Sequence, residues 1–378
     1  MMLMIPGPTP VPERVLLAMA KHPIGHRSGD FTKLMGEVTE NLKWLHQTQN
    51  DVLVLAASGT GAMEAGIINF LSPGDTVLVG NNGKFGDRWA KVARAFGLNV
   101  EEITAEWGKP LDTAEFKAVL EADTAKNIKA VIITHSETST GVLNDLEAIN
   151  RHVKNHGALI IVDAVTSLGA CNVPIDEWGL DVVASGSQKG YMLPPGLGFV
   201  SVSPKAWAAY ETATIPKFYL DLGPYRKTAA KNSTPFTPPV TLFYGLHTAL
   251  QMMRTEGLET IFERHDRHRR ATRAAMKALN LPLFAADAYA SPAVTAVLPQ
   301  QVEAEKVRSI MKSRFDILLA GGQDHFKGKI FRIGHLGFVC DRNILTAISA
   351  LEATLQELGY EQAATGAGLA AASDILQS

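Results

Sequence analysis

The sequence predicts an α/β fold, a mostly parallel seven-stranded sheet flanked by helices, followed by a smaller C-terminal α+β domain. Two observations lead to this prediction. Between residues 50 and 203, short apolar runs alternate with stretches of helical periodicity, which is the pattern of a parallel sheet with helices on its faces. Beyond residue 280, two further apolar runs alternate with two helical stretches, which indicates a second, smaller unit.

Seven apolar runs supply the strands of the main sheet. They cover residues 52–56, 76–79, 100–103, 130–134, 159–163, 182–184 and 198–202. Helical patterns fill the gaps between them, at 85–96, 113–122 and 145–155. Gly97 and Gly157 follow two of these helices, where glycine commonly ends a helix and begins a turn.

The alternation breaks off in residues 204–239, which contain six prolines. We expect an irregular stretch there, with a role in function or at an interface. Two helices are predicted next, at 240–255 and 257–279. The smaller unit then consists of strand 294–298, helix 303–314, strand 330–333 and helix 343–358. These boundaries divide the chain into an N-terminal segment 1–14, a large domain 15–260 and a small domain 261–378.

The charge balance argues against a nucleic-acid partner. The 378 residues carry a net charge of −2, whereas a nucleic-acid-binding protein needs a concentrated basic face. One basic cluster occurs at residues 264–273 of a predicted helix, with Glu259, Glu263 and Asp266 interleaved. We interpret it as a solvated or subunit-facing helix.

Residue usage also argues against a metal site and a membrane partner. Cys171 and Cys340 are too few for a disulfide framework or a cysteine-rich metal site, and the eleven histidines are scattered. The apolar start is stopped by Pro6 and lacks a basic region, so it does not predict a signal peptide. No run reaches the roughly 20 apolar residues of a membrane span. We expect a cytoplasmic protein.

One lysine stands out because of its position. Lys189 follows the predicted strand 182–184 in a turn of small residues that begins at Ser185. Burial lowers the pKa of a lysine, and a neutral amine attacks an aldehyde carbon. The alternative is an ordinary surface lysine at the end of a strand.

Two further strand ends carry polar residues. Asp163 ends the predicted strand 159–163, where the carboxyl ends of parallel strands border the crevice that binds ligands. Ser58, Gly59 and Thr60 follow strand 52–56 and precede a helical pattern. Backbone N–H groups at such a helix start, with hydroxyls beside them, bind phosphate. The alternatives are a loop-capping aspartate and a plain helix cap.

The same order of features extends over most of the chain. The matching motifs lie at residues 6–12, 58–65, 135–142, 162–169, 185–189, 194–196 and 332–334. In these motifs the sequence resembles the class V aminotransferases, fold-type I enzymes that use pyridoxal 5′-phosphate, and among them the alanine–glyoxylate and serine–glyoxylate aminotransferases. The resemblance implies that Ser58, Gly59 and Thr60 hold the phosphate, that Asp163 keeps the ring nitrogen protonated, and that Lys189 binds the aldehyde.

The resemblance assigns further residues to the cofactor. It implies that Phe85 stacks on the ring, where relatives have Trp or Tyr, that Thr138 lies near the phenolic oxygen, and that Gln188 contacts the phosphate. For Thr138 and Gln188 a role within the loop is the alternative. Thr237, with Thr234 as a weaker candidate, is implied to reach the phosphate of a neighbouring subunit. The resemblance therefore predicts a homodimer with shared active sites.

Arg332 is the candidate for binding the substrate. It lies in the apolar run 330–333 and so needs a partner, which a carboxylate supplies through two parallel hydrogen bonds. The resemblance implies that this carboxylate is the α-carboxylate of the substrate. A structural ion pair is the alternative.

The expected reaction is amino transfer from a small amino acid, alanine or serine, to glyoxylate, giving glycine and a 2-oxoacid. Small donors are favoured because no second arginine is obvious, although Arg226 stays open. Other class V transaminations, with serine and pyruvate, ureidoglycine or aminoethylphosphonate, remain alternatives. A cysteine desulfurase would need a reactive loop cysteine, which neither Cys171 nor Cys340 resembles. A non-catalytic complex subunit is the last alternative, since some relatives have been labelled soluble-hydrogenase subunits.

Overall fold

We describe a computed structural model of the chain, which covers residues 1–362 and 364–377. Its strands are β1 (Met2–Met4), β2 (Asp51–Leu55), β3 (Thr76–Asn81), β4 (Asn99–Thr104), β5 (Ile128–Thr134), β6 (Ser136–Glu137), β7 (Val142–Leu143), β8 (Leu159–Asp163), β9 (Val182–Gly186), β10 (Gly198–Val202), β11 (Val294–Val297), β12 (Ile317–Gly321) and β13 (Phe331–Gly334). Its α-helices are α1 (Glu13–Met19), α2 (Gly29–His46), α3 (Gly59–Ile68), α4 (Lys84–Ala95), α5 (Thr113–Ala122), α6 (Leu146–His156), α7 (Ile175–Trp178), α8 (Pro204–Tyr210), α9 (Leu222–Ala229), α10 (Val240–Glu256), α11 (Leu258–Ala278), α12 (Ala304–Phe315), α13 (Asp341–Glu357) and α14 (Ala367–Gln377).

The main sheet has seven strands in the order β2-β10-β9-β8-β5-β3-β4. Only β10 is antiparallel to its neighbours. The predicted α/β fold is confirmed, and all seven predicted strands are present with ends that differ by at most two residues. The apolar runs were informative because β8 and β9 are buried on both faces between layers of helices.

A second sheet of four strands, in the order β1-β12-β13-β11, forms the core of the smaller unit. Its edge strand β1 comes from the N-terminus and pairs in parallel with β12, Met2 opposite Ile317 and Met4 opposite Leu319. The sequence analysis predicted neither β1 nor β12. A three-residue strand has too little periodicity to be recognised, and its partner lies at the other end of the chain.

Three expectations about the second half of the chain need correction or completion. Residues 204–239 are not irregular throughout, because they contain α8 and α9, each capped by a side chain, Ser203 and Asp221. The basic cluster on α11 is solvated only in part, since Arg270 is exposed whereas His265 and Arg273 are buried. The tail, which the sequence left open, forms α14 and packs on α11 and α13.

None of the helices within the described residues is both long and apolar enough to cross a membrane.

Candidate active site

The carboxyl ends of β2, β3, β5, β8 and β9 lie along one edge of the main sheet. A cavity of about 220 Å³ opens there, which we call the sheet-edge cavity. It is lined by Ser58, Gly59, Thr60, Met63, Phe85, Arg88, Thr138, Asp163, Val165, Thr166, Gln188 and Lys189. The fold thus brings together eight of the ten site residues predicted from the sequence.

The part of the sheet-edge cavity at the start of α3 is suited to bind an anion. The Ser58 hydroxyl accepts a hydrogen bond from the Gly61 N–H at 3.3 Å and so begins the helix. The first N–H groups of a helix have no acceptor inside it and carry its positive end. Gly59 packs closely on the loop after β8, because a Cβ there would lie 3.1 Å from the Val165 side chain.

Asp163 is the buried carboxylate of the cavity. It ends β8, is 4% exposed, and accepts one hydrogen bond, from the Val165 N–H at 2.9 Å. Burial raises the pKa of Asp163 to about 6, and the nearby Glu137 adds to the rise, while Lys189 and Arg88 oppose it. The carboxylate lacks a close cationic partner among the described residues, and a protonated ring nitrogen would supply one.

Lys189 faces Asp163 across the same cavity. Its Nζ donates a hydrogen bond to the Pro6 carbonyl oxygen at 2.7 Å. Burial lowers the pKa of Lys189 to about 8, and the attraction of Asp163 limits the fall. Gly7 leaves room for the amine, since a Cβ there would lie 2.6 Å from Nζ. The N-terminal segment therefore closes over a lysine whose neutral form is accessible near neutral pH.

Glu137, which the sequence analysis did not single out, holds Phe85 in place. This carboxylate is fully buried on the last residue of β6. Its Oε2 accepts the N–H groups of Phe85 and Gly86 at 2.9 and 3.1 Å, and its Oε1 accepts the Ser139 hydroxyl at 2.5 Å. Since Gly83 offers α4 no side-chain cap, Glu137 caps that helix. Burial raises the pKa of Glu137, and the hydrogen bonds oppose the rise.

Arg88 was also missed. Its guanidinium lies 4.8 Å from the Phe85 ring centroid, and its Nη1 donates to the Thr60 hydroxyl at 3.2 Å. The positively charged side chain of Arg88 therefore contacts both the Phe85 ring and the anion-binding turn at Thr60. The spacing of three residues, which places Phe85 and Arg88 on one face of α4, was the available signal.

A second cavity of about 290 Å³, which we call the arginine cavity, adjoins the first. Phe85, Thr138 and Lys189 line both. The arginine cavity is lined in addition by Ile5, Pro6, Gly7, Arg308, Leu318, Leu319, Ala320, Gln323 and Arg332. It lies between the N-terminal segment, the small sheet and the lysine.

Arg332 on β13 is 6% exposed and is held by carbonyl groups. It donates to the Thr138 oxygen at 2.7 Å and to the Gly321 oxygen at 2.9 and 2.7 Å. Burial lowers the pKa of Arg332 to about 10. Within residues 1–362 and 364–377 it forms no ion pair with a carboxylate, which disfavours the structural ion pair and leaves its charge available to a ligand.

The comparisons with known proteins decide the family. The model of the aminotransferase class-V family matches residues 1–331. The chain belongs to the class V aminotransferases. This class V aminotransferase has the fold predicted from its sequence, and its family and fold imply dependence on pyridoxal 5′-phosphate.

Individual relatives carry different names. A protein of Synechococcus sp. (strain PCC 6716) named soluble hydrogenase, small subunit, is 74% identical over 100% of this chain and 98% of its own. The L-aspartate–glyoxylate aminotransferase of Paracoccus denitrificans is 38% identical over 98% of this chain and 95% of its own. The serine–glyoxylate aminotransferase of Methylorubrum extorquens is 37% identical over 99% of this chain and 96% of its own. The crystal structure of the Bacillus subtilis ureidoglycine–glyoxylate aminotransferase superposes with a TM-score of 0.93 at 32% identity, over 100% and 98% of the two chains.

The residues of this class V aminotransferase fit the cofactor that its family uses. The anion-binding turn, Asp163 and Lys189 match its phosphate, its pyridinium and its aldehyde in charge and order. In addition, the amide oxygen of Gln188 is buried with no hydrogen-bond partner among the described residues. Because the two ends of an amide exchange without changing its shape, Gln188 can present its amino group to a phosphate.

The sequence offered no obvious second arginine, but the structure places one in the same cavity as Arg332. Arg308 on α12 lines the arginine cavity together with Arg332. Arg226, the arginine left open by the sequence, lies elsewhere: it pairs with Asp51 at 3.2 Å and covers the Trp207 ring at 4.4 Å. Sequence reasoning missed Arg308 because it occurs on an amphipathic helix, where arginines usually face solvent.

Thr237 is the one predicted site residue that lines neither cavity. It is exposed, in the segment before α10. Thr234, the weaker candidate, is buried, and its hydroxyl donates to the Phe236 carbonyl oxygen at 2.8 Å. The implied contact of Thr237 with a neighbouring subunit therefore stays a prediction.

The cysteines lie outside both cavities. Burial raises the pKa of the Cys171 thiol to about 12, which makes it a poor nucleophile. Cys340 is exposed and directly precedes α13, so the expectation that it is not carried by a loop is wrong. No cluster of histidine, cysteine, aspartate and glutamate suited to a metal ion occurs in the part of the chain that the structure describes.

Proposed function

We propose that this protein transfers the amino group of a small amino acid, alanine or serine, to glyoxylate, giving glycine and a 2-oxoacid. The observation that carries the proposal is the arrangement around one cavity of an anion-binding turn, a buried carboxylate and a lysine of lowered pKa. A buried arginine that pairs with no acid among the described residues adjoins that cavity. Several relatives, among them those of Paracoccus denitrificans and Methylorubrum extorquens, have glyoxylate in their names, which supports this acceptor.

The residues of the chain have separate roles in the proposed reaction. When bound, pyridoxal 5′-phosphate supplies an electrophilic aldehyde and a cationic ring that withdraws electrons. Asp163 stabilises the positive charge of that ring, and Arg332 holds the substrate carboxylate. The amine of Lys189 takes the proton from the α-carbon at Nζ and returns it. Phe85, held by Glu137, fixes the plane against which the substrate is oriented.

The visible spectrum of the purified, cofactor-loaded protein tests this function. We expect the absorption band of the bound cofactor to shift when alanine or serine is added and to return when glyoxylate follows, with glycine as the product. Cysteine, with sulfide as the readout, tests the desulfurase alternative. A band that no amino donor shifts would reject transamination.

We propose in addition that two copies of the chain share their active sites. The support is that Thr237, implied to bind phosphate, is exposed and lines neither cavity of its own chain. The Thr237→Ala variant is expected to bind pyridoxal 5′-phosphate about 10- to 100-fold more weakly, the effect of losing one hydrogen bond to a charged group. Equilibrium dialysis with the cofactor measures this.

Mixed dimers provide the control. Co-expression of Lys189→Ala chains with Thr237→Ala chains creates hybrids in which one site has both residues intact. Activity at limiting cofactor is therefore expected to exceed that of either variant alone. Chains with both substitutions recover nothing when they pair with themselves. A mixture without any recovery would contradict the shared site.

A further inference from the structure

A second guanidinium group lies beside the one expected to bind the substrate. Gly321, the last residue of β12, separates them. Its carbonyl oxygen accepts both Nε and Nη2 of Arg332, and a Cβ on it would lie 2.6 Å from Nη1 of Arg308. Both arginines line the arginine cavity.

Arg308 is held in position but retains a free edge. Its Nε donates to the Leu319 carbonyl oxygen at 3.1 Å, and its Nη1 pairs with Glu305 at 2.5 Å. Among the described residues its Nη2 donates no hydrogen bond. A guanidinium fixed on two sides presents its remaining N–H groups to a ligand without a large loss of side-chain entropy.

The charges around the arginine cavity do not balance. Arg332 has no acidic partner in the described chain, and Glu305, the partner of Arg308, is half-exposed. Glu137, the buried acid whose charge acts on Arg332, is occupied by the N–H groups that begin α4 and by Ser139. The arginine cavity is therefore lined by Arg308, Arg332 and Lys189 and, among the described residues, by no carboxylate, which suits a ligand with two negative charges.

A neutral polar side chain also lines the arginine cavity. Gln323 lies two residues after Gly321 and lines the same cavity, and its amide oxygen is buried with no partner in the described chain. A polar group left unsatisfied in this way costs free energy unless a ligand pairs with it. The amide, in either orientation, adds a hydrogen-bonding group beside Arg308.

We propose that Arg308, assisted by Gln323, binds the side-chain carboxylate of an amino donor, so that the enzyme accepts a four-carbon amino dicarboxylic acid of the size of aspartate besides small neutral donors. Arg332 holds its α-carboxylate and Arg308 its second carboxylate. This inference rests on the proposed transamination and specifies its donor.

The test compares aspartate with alanine as donors, glyoxylate being the acceptor, in the cofactor-loaded enzyme. In the Arg308→Met variant we expect kcat/KM for aspartate to fall about 10- to 100-fold, as for loss of a charge-assisted hydrogen bond, with kcat/KM for alanine unchanged. Gln323→Leu is expected to lower the aspartate value by a smaller factor. Lys312→Met, on the exposed face of the same helix, should change neither, and Arg332→Leu should lower both.

A binding measurement separates recognition from catalysis. Succinate, a dicarboxylate without an amino group, is expected to bind the loaded wild-type and Lys312→Met enzymes equally and the Arg308→Met enzyme more weakly, by calorimetry. Wild-type enzyme that uses alanine but not aspartate would overturn the proposal, as would equal losses for both donors in Arg308→Met. If alanine, serine and aspartate all fail to react with glyoxylate, the proposed function itself fails.

Discussion

Replacement of Lys189 by alanine is expected to abolish amino transfer. The variant loses both the amine that binds the aldehyde and the base at Nζ, so turnover should fall by at least about 10⁴-fold, the upper end of what a general base contributes. The Pro6 carbonyl oxygen loses its donor. The cavity around position 189 should nevertheless persist, because Thr9 donates hydrogen bonds to the backbone oxygens of Lys189 and Gln188, which do not depend on the lysine side chain. Steady-state glycine formation from alanine and glyoxylate measures the loss.

Two controls sharpen this result. The Lys117→Ala variant, altered on the exposed face of α5, should retain full turnover. Added methylamine should partly restore proton transfer in Lys189→Ala, because a small amine fits where the side chain has been removed. Full activity in Lys189→Ala would remove the basis of the proposed function.

The Lys189→Ala variant also tests the alternative that the chain is a non-catalytic subunit of a complex. An iron–sulfur centre needs about four cysteine ligands, and this chain has two cysteines. Its own residues therefore do not provide such a centre. If Lys189→Ala cells kept the full cellular function of the protein while turnover was lost, a non-catalytic role in a complex would be supported instead.

The Asp163→Asn variant is expected to lose activity and to gain stability at once. Removal of the carboxylate leaves the cationic ring without its counter-charge, so kcat should fall about 10²- to 10³-fold, the range for one electrostatic group of an active site. The amide oxygen still accepts the Val165 N–H, so the loop that follows β8 should keep its shape. Single-turnover rates with alanine in the loaded enzyme provide the measurement.

The gain in stability follows from the pKa of Asp163 in the cofactor-free protein. Burial raises this pKa from 3.8 to about 6, so the folded protein holds the proton more tightly than the unfolded chain. The stabilising contribution is complete below pH 3.8 and is lost as the pH rises through about 6. Above that pH the buried charge destabilises the wild-type protein by up to about 3 kcal/mol, at 1.36 kcal/mol per pKa unit.

Urea unfolding of the cofactor-free proteins at pH 4 and pH 7.5 checks this expectation. The free energy of unfolding of Asp163→Asn should exceed that of the wild-type protein at pH 7.5, and the difference should shrink at pH 4. Bound cofactor should reverse the order, since its cation stabilises the carboxylate. An equal difference at both pH values would show that Asp163 is not the group responsible.

Much of the fold could be predicted because the signals for it are local. The runs that form β5, β8 and β9 are buried on both faces, so their apolar character is visible in a few consecutive residues. Ser58, Asp163 and Lys189 could be found for the same reason: each lies at the end of an apolar run or within three residues of it. In a parallel sheet, position after a strand is sufficient to place a residue at the ligand-binding edge.

What only the tertiary structure decided are the contacts between distant parts of the chain. Strand β1, the cap that Glu137 places on α4, and the approach of Arg308 to Arg332 across Gly321 join segments that no periodic pattern relates. Each depends on how two elements pack, and packing is set by the shape of both. The sequence by itself therefore determined the sheet and the family of its chemistry, while the folded chain determined which charges face the substrate.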